Sequence, residues 1–289
     1  MKRLSPFFLS VVVLTLFSCA KEYSLENSSD PTGNGLIIGV DCRISKISYL
    51  DTAAGGTPLG SLTATINASD NATNITRFDS VSFTIDFIST PFYASDTVFI
   101  NADEYFLVDL ANNRRIKQLH ALLDPTDPFS LQYEVFYFYD GSGYLSQKFF
   151  AFTSNPGIPF YLVNYTNSGG RMTHMTGTDL FSGDLVIDAD VEYYGNVIPK
   201  RFIYIFPDEE FYPNFTQFYN FGNRPTNGPK TIKVRNYDPG NVLRDSAVSS
   251  FSSYVMSRDN YVLSVIMTGD DQPSVPAVKS KLSFSYKCK

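Results

Sequence analysis

Four carboxylates fall at even spacing in the 289-residue chain: Asp184, Asp188, Asp190 and Glu192. Residues two apart in a strand share a face, so these four would line one side of it. Two carboxyl groups about 5–9.5 Å apart can do the acid–base work of glycoside hydrolysis. A row of them can also attract Ca²⁺. Leu185, Val186, Ile187, Ala189 and Val191 fill the intervening and opposite positions. That pattern equally describes an amphipathic strand with a solvated acidic face. No segment carries the Asp-x-Asp-x-Asp-Gly calcium loop. The two histidines lie in Leu119-His120-Ala121 and Met172-Thr173-His174-Met175. Either would need an activated serine to serve as a base, and no Gly-x-Ser-x-Gly elbow occurs. No catalytic residue, metal-ligand set or cofactor motif is assigned on this basis, and the chain reads as a non-enzyme.

Aromatic residues are the stronger hint. The chain has 25 Phe and 19 Tyr but no Trp. Tyr193-Tyr194, Phe211-Tyr212, Phe215, Phe218-Tyr219 and Phe221 crowd one region. Clustered exposed aromatics mark interaction sites. Tyr212, Phe215 and Tyr219, within the loop 207–229, are therefore the candidate binding residues. The formal charge is −6, with no basic run. Nucleic-acid binding needs clustered cations, so it is excluded as a partner class.

The N-terminus sets the address. Met1-Lys2-Arg3 is positive, and Phe7–Phe17 is almost wholly apolar. The run is shorter than the ~20 residues that span a bilayer, so it reads as a signal peptide over 1–18. Leu16-Phe17-Ser18-Cys19 resembles the lipobox of bacterial lipoproteins. The resemblance implies cleavage before Cys19 and diacylation of its sulfur with fatty acids such as palmitate. The alternative is a plain secretory peptide. Residues 19–35 are polar and turn-rich, and read as a tether. The Cys-Ala-Lys-Glu-Tyr start and the aromatic, Asn/Thr-rich body resemble lipoproteins of the Bacteroidota. This implies an outer-membrane location, on the periplasmic or the cell-surface face. Asp51-Thr52-Ala53, Asp79-Ser80-Val81, Asp96-Thr97-Val98 and Asp245-Ser246-Ala247 are similar to the O-glycosylation acceptor pattern of proteins exported by that group.

The remainder, 36–289, reads as one all-β domain with little helix. Period-2 alternation and β-branched or aromatic residues dominate. Leu36–Leu50 is expected as a first strand. Phe78–Ile88 is expected as a half-buried strand with Val81, Phe83, Ile85 and Phe87 on one face. Four long hairpins are expected after it. They pair 133–139 with 144–152, 160–165 with 171–176, 185–194 with 198–206, and 252–257 with 261–267. Asx and Gly residues supply the tight turns. Tyr139-Asp140-Gly141-Ser142-Gly143 and Tyr165-Thr166-Asn167-Ser168-Gly169 loosely resemble YD-type hairpins of uncharacterised Bacteroidota lipoproteins. An N-terminal lobe, 36–110, is an alternative division. The architecture expected is a large twisted or curved antiparallel sheet, with a β-sandwich as the alternative.

Cys42 and Cys288 remain once Cys19 is set aside. An exported protein meets an oxidising compartment, so they are the disulfide candidates. A bridge between opposite chain ends would make the first and last strands neighbours. On the loop-entropy account it would add ~4–5 kcal/mol. The functional expectation is a lipid-anchored envelope protein that binds or scaffolds a glycan or a partner protein without catalysis. The alternative is a carboxylate-dependent, glycosidase-like hydrolase. That alternative requires two of the strand carboxylates to share a pocket.

Overall fold

The computed structural model describes residues 42–52, 57–67, 69, 71–80, 83–123, 130–208, 215–269 and 278–288. The signal segment, Cys19, the tether, residues 36–41 and Tyr212 lie outside the described residues.

The chain forms a meander. It begins with β1 (Cys42–Asp51), β2 (Thr57–Ile66), β3 (Ala72–Asp79) and β4 (Thr84–Ser89). Short strands follow: β5 (Phe92–Tyr93), β6 (Thr97–Phe99), β7 (Tyr105–Asp109) and β8 (Arg115–Leu122). Then come β9 (Gln132–Tyr139), β10 (Leu145–Phe152), β11 (Pro159–Asn167), β12 (Met172–Asp179) and β13 (Leu185–Tyr193). The last four are β14 (Pro229–Asp238), β15 (Val242–Met256), β16 (Val262–Gly269) and β17 (Val278–Cys288). Among the described residues, the only helical pieces are two 3-10 turns, Leu110–Asn112 and Phe215–Phe218.

Antiparallel ladders run without interruption from β5 to β17, across to β1, and on to β4. The sheet has 17 strands, with β4 and β5 at its ends, and it is not closed into a barrel. One sheet replaces the sandwich alternative. Residues 42–109 join it on both sides. Register shifts occur in most ladders, as between Ile44 and Lys46 on β1. Such bulges bend and twist a strand, which lets so wide a sheet curl round on itself. The residues on β1 and β17 that pair at one end of their ladder are Cys42 and Cys288, and they form a disulfide.

Turn chemistry explains three of the four expected hairpins. Between β9 and β10, the Asp140 carboxylate accepts from the backbone N–H groups of Ser142 and Tyr144, at 2.9 and 3.0 Å. Gly143 takes φ +83°, a conformation glycine adopts without steric cost. The β11–β12 turn uses Gly169 and Gly170, and the β15–β16 turn uses Asn260, all at positive φ.

Two expectations fail. Phe78–Ile88 is not one strand but parts of β3 and β4 joined by a turn, where Phe83 has φ +56° and is 81% exposed. Ile85 is exposed as well: a register shift between Arg77 and Phe78 places it opposite Phe78 on the outer face, while Phe87, opposite Arg77, packs against the core. The third hairpin also fails. β13 pairs with β14, and residues 198–206 leave the sheet. They thread the inside of its curve. Phe202, Ile203, Tyr204, Ile205 and Phe206 are all buried, with no alternation. A half-buried strand needs a polar face, and a run apolar at every position has none to offer water.

Phe221 shows how this internal segment builds the core. Its ring meets Phe106, Tyr137, Tyr204 and Phe206 edge-on, at 5.3–5.9 Å between centroids. Edge-to-face contacts of this kind are favoured by the ring quadrupole.

Candidate functional site

A segment buried inside a sheet without a strand partner must find other partners for its backbone. Gln217 supplies them. Its side-chain oxygen accepts from the Tyr204 N–H at 2.7 Å, and its amide donates to the Tyr204 carbonyl at 3.2 Å. Arg224 donates to the Phe202 carbonyl at 2.5 Å and to the Gln217 carbonyl at 2.6 Å. The Tyr204 hydroxyl accepts from the Phe221 N–H and donates to the Gly222 carbonyl, both at 3.0 Å. At the far end, the Lys148 ammonium lies 2.9 Å from the Asp208 carboxylate, which also accepts from the Tyr165 hydroxyl at 2.5 Å. Both charged side chains are buried. The Lys148 ammonium also sits 4.8 Å from the Phe206 ring centre, a cation–π contact.

The internal segment does not fill the curve completely. Between its returning limb (residues 217–226) and the wall lies a cavity of about 700 Å³. The wall side comes from Arg43 and Ile44 of β1, the β7–β8 connection, and Gly143-Tyr144 at the β9–β10 turn. The cavity opens to solvent, since its lining residues Ala111, Asn112, Asn113, Asn223 and Thr226 are exposed. Four arginines face it: Arg43, Arg115, Arg201 and Arg224, each half-buried. No Asp or Glu is among the described residues that line it. The Arg224 guanidinium stacks on the Tyr204 ring at 4.0 Å, and that of Arg115 on Tyr139 at 4.2 Å. Burial pulls the Arg224 pKa below its ordinary value. Tyr204 opposes this, and the positive charges of Arg43 and Arg201 lower it further. A second cavity of about 410 Å³ shares Arg43, Asn113, Phe218, Tyr219 and Asn220 with the first and adds Arg114.

The aromatic residues expected to present a surface are placed differently. Tyr219 is 6% exposed, and its ring meets Phe106 edge-on at 5.0 Å. It faces the two cavities and is no outward platform, which corrects its reading as a surface residue. Phe218 and Phe221 are buried as well. Phe215 begins a 3-10 turn. The segment turned inward because aromatic rings this dense gain more from the core than from solvent.

The acidic strand β13 lies elsewhere, on the outer face. Arg235 of β14 holds both Asp188 and Asp190, the latter at 2.6 Å. His174 of β12 lies 2.9 Å from Asp190, and Lys230 lies 3.1 Å from Glu192. The hydrogen bond from Arg235 holds the Asp190 carboxyl below the usual range, and that from Lys230 does the same for Glu192. His174, Asp188 and Asp190 bring ligand-type atoms within 4.8 Å, but the Arg235 guanidinium already occupies both carboxylates. These carboxylates line neither of the two cavities, and Arg235, His174 and Lys230 pair with Asp188, Asp190 and Glu192. His120 is buried, stacked on Tyr105 at 4.8 Å and 3.8 Å from Glu134. Of the hydroxyls in acceptor-like triplets, Ser246 is exposed on β15, while Thr52 donates to the Lys279 carbonyl at 2.7 Å.

The cavity arginines carried no signal in the sequence. They lie in different parts of the chain, and the curl of the sheet with the inward path of residues 199–206 and 215–226 brings them together.

No family model matches this chain, and no curated protein matches it. Solved structures do. A porin-like protein from Bacteroides uniformis aligns over 84% of this chain and 96% of its own, with a TM-score of 0.57 and 12% identity. A porin-like protein from Bacteroides vulgatus aligns over 86% and 99%, with a TM-score of 0.48 and 13% identity. The first likeness establishes a shared fold. In the present chain the space inside the sheet is occupied by Phe202, Ile205 and Phe221. Its outer face bears Asp188, Glu192, Lys230 and Arg235. A lipid-facing strand surface would instead be an apolar band.

Proposed function

We propose that this chain is a lipid-anchored, non-catalytic binding protein of the outer membrane, and that its ligand is a glycan held in the cavity beside the internal segment. The observation that carries the reading is the cavity itself. It is within the ~300–1,000 Å³ range of small-molecule sites, open at one side and walled by rings and amides. Amide side chains suit the many hydroxyls of a sugar, and half-buried Tyr144 offers an aromatic wall. The anchor at Cys19 rests on the lipobox-like Leu16-Phe17-Ser18-Cys19. The outer-membrane address rests on that motif and on the names of the structural neighbours. Two or three acyl chains would hold the protein firmly, at ~0.8 kcal/mol per buried CH₂.

The test is a glycan array and an envelope pull-down with the full-length chain and with Ala111→Trp. Ala111 is exposed at the cavity mouth, so the indole narrows the entrance without touching the core. Capture of a glycan by the wild type and its loss in the variant would support the reading. Equal capture by both would place the site elsewhere. Recovery of an envelope protein alone would make the chain a scaffold.

A further inference from the structure

Lys148 is the only buried lysine among the described residues. It faces inward from the middle of β10, opposite buried Tyr137 of β9 and buried Val163 of β11. Such an inward position normally takes an apolar side chain. The Lys148 side chain is 1% exposed and that of Asp208 6%. The rings of Phe206, Tyr165 and Tyr137 lie 4.8, 5.5 and 5.9 Å from the Lys148 nitrogen. The two oxygens of Asp208 are engaged differently. Oδ2 lies 2.9 Å from the Lys148 Nζ, and Oδ1 accepts from the Tyr165 hydroxyl at 2.5 Å. An amine, a carboxyl group and a hydrogen-bond donor on the second oxygen are the parts that amide formation needs. In bulk water, hydration keeps both groups ionised and the reaction does not proceed. Here rings replace that hydration. The fold also holds two groups 60 residues apart in sequence against each other, which turns a bimolecular encounter into a unimolecular one. A buried ion pair on its own gains little over an apolar pair of the same volume. A covalent tie between the enclosed segment and the wall gains more.

We propose that Lys148 and Asp208 condense into an intramolecular amide cross-link, with Tyr165 as the catalytic hydrogen-bond donor. Two protons of the ammonium pass to Oδ2. The nitrogen lone pair forms a bond to Cγ, and the Cγ–Oδ2 bond breaks as Oδ2 leaves in a water molecule. The third proton stays on the amide nitrogen. Oδ1 becomes the amide oxygen, and the Tyr165 hydroxyl stabilises the negative charge it carries in the tetrahedral intermediate. An ammonium and a carboxylate thus give one neutral amide and one water, and no oxidant or other reactant takes part. Before condensation the two residues form the ion pair described above. A chain lacking both loses the link but strands no charge.

The test is peptide mapping by mass spectrometry of the full-length wild-type chain, reduced and unfolded before digestion with trypsin. The peptides bearing Lys148 and Asp208 are expected to emerge joined, in a species one water lighter than the two together. Cleavage after Lys148 should be lost, because its nitrogen no longer carries a charge. Lys148→Arg keeps the positive charge but has no amine to acylate, and should give separate peptides. Tyr165→Phe keeps the ring and removes the donor. Its joined fraction, sampled over time after synthesis, should rise roughly 100-fold more slowly, the usual effect of losing one oxyanion donor. Separate peptides of full mass in the wild type, with normal cleavage after Lys148, would overturn the cross-link. The same loss of water in Lys148→Arg would overturn its assignment to Lys148. Condensation of Tyr165→Phe at the wild-type rate would overturn the role of Tyr165.

Discussion

Gln217 does for Tyr204 what a neighbouring strand would do: its side-chain amide both accepts from and donates to the Tyr204 backbone, at 2.7 and 3.2 Å. The relationship explains how residues 202–206 run through the interior of a sheet without joining it. Gln217→Leu would leave the buried N–H and C=O of Tyr204 unsatisfied. At ~1–3 kcal/mol for each orphaned group, the loss of stability is about 2–6 kcal/mol, read by urea unfolding. An unchanged unfolding midpoint would mean that the segment finds its partners elsewhere.

Lys148 and Asp208 fasten the other end of the segment to β10. Both are buried, so removing one strands the other. Lys148→Met alone should cost about 3–5 kcal/mol. Lys148→Met combined with Asp208→Leu should recover much of this, because an apolar pair of similar volume carries no desolvation cost. The double-mutant cycle measures the coupling, and additive losses would refute it.

The tyrosines set an alkaline limit. Burial pushes the Tyr93 hydroxyl up to about 12 and raises those of Tyr139, Tyr161, Tyr254 and Tyr286 further. An unfolded tyrosine ionises near ~10. Their contribution to stability is therefore fully present below that pH. It declines as pH rises above it, because the unfolded state loses protons first. Absorbance titration should show these tyrosines ionising together with unfolding. Smooth ionisation near pH 10 in the native state would contradict the burial described.

The Cys42–Cys288 bridge closes a sequence separation of 246 residues and ties β17 to β1. Reduction, or Cys42→Ser, should lower stability by about 2–5 kcal/mol in denaturant unfolding. A variant as stable as the oxidised parent would show that the β1–β17 ladder needs no such tie.

Much of the sheet could be read from the chain, and the reason is local. Asp140-Gly141-Ser142-Gly143 states its turn in its own residues, and the alternating Val135 and Tyr137 state the buried face of β9. Ile198–Phe206 carries β-type residues too, but its failure to alternate, from Phe202 to Phe206, marks a segment enclosed on every side. Phe83 and Ile85 alternate as buried residues do, yet Phe83 falls in the turn before β4 and a register shift in the β3–β4 ladder turns Ile85 to the outer face. The cavity was illegible for a different reason. Arg43, Arg115, Arg201 and Arg224 share no spacing, so their meeting depends on how the sheet curls and where the enclosed segment runs. The aromatics Phe218 and Tyr219 suggest an outward surface in the sequence, whereas both are buried beside the cavity.

The most direct measurement is the melting temperature of the full-length chain against rising concentrations of a neutral and an acidic disaccharide, maltose and digalacturonate, in the wild type and in Ala111→Trp. A ligand bound only by the folded state stabilises it by about 2.7 kcal/mol at a hundred times its Kd. The wild type should therefore melt at steadily higher temperature while Ala111→Trp stays flat. Equal shifts in both proteins would contradict a binding site in the cavity beside the enclosed segment, and so would the absence of any shift with every sugar tested, neutral or acidic.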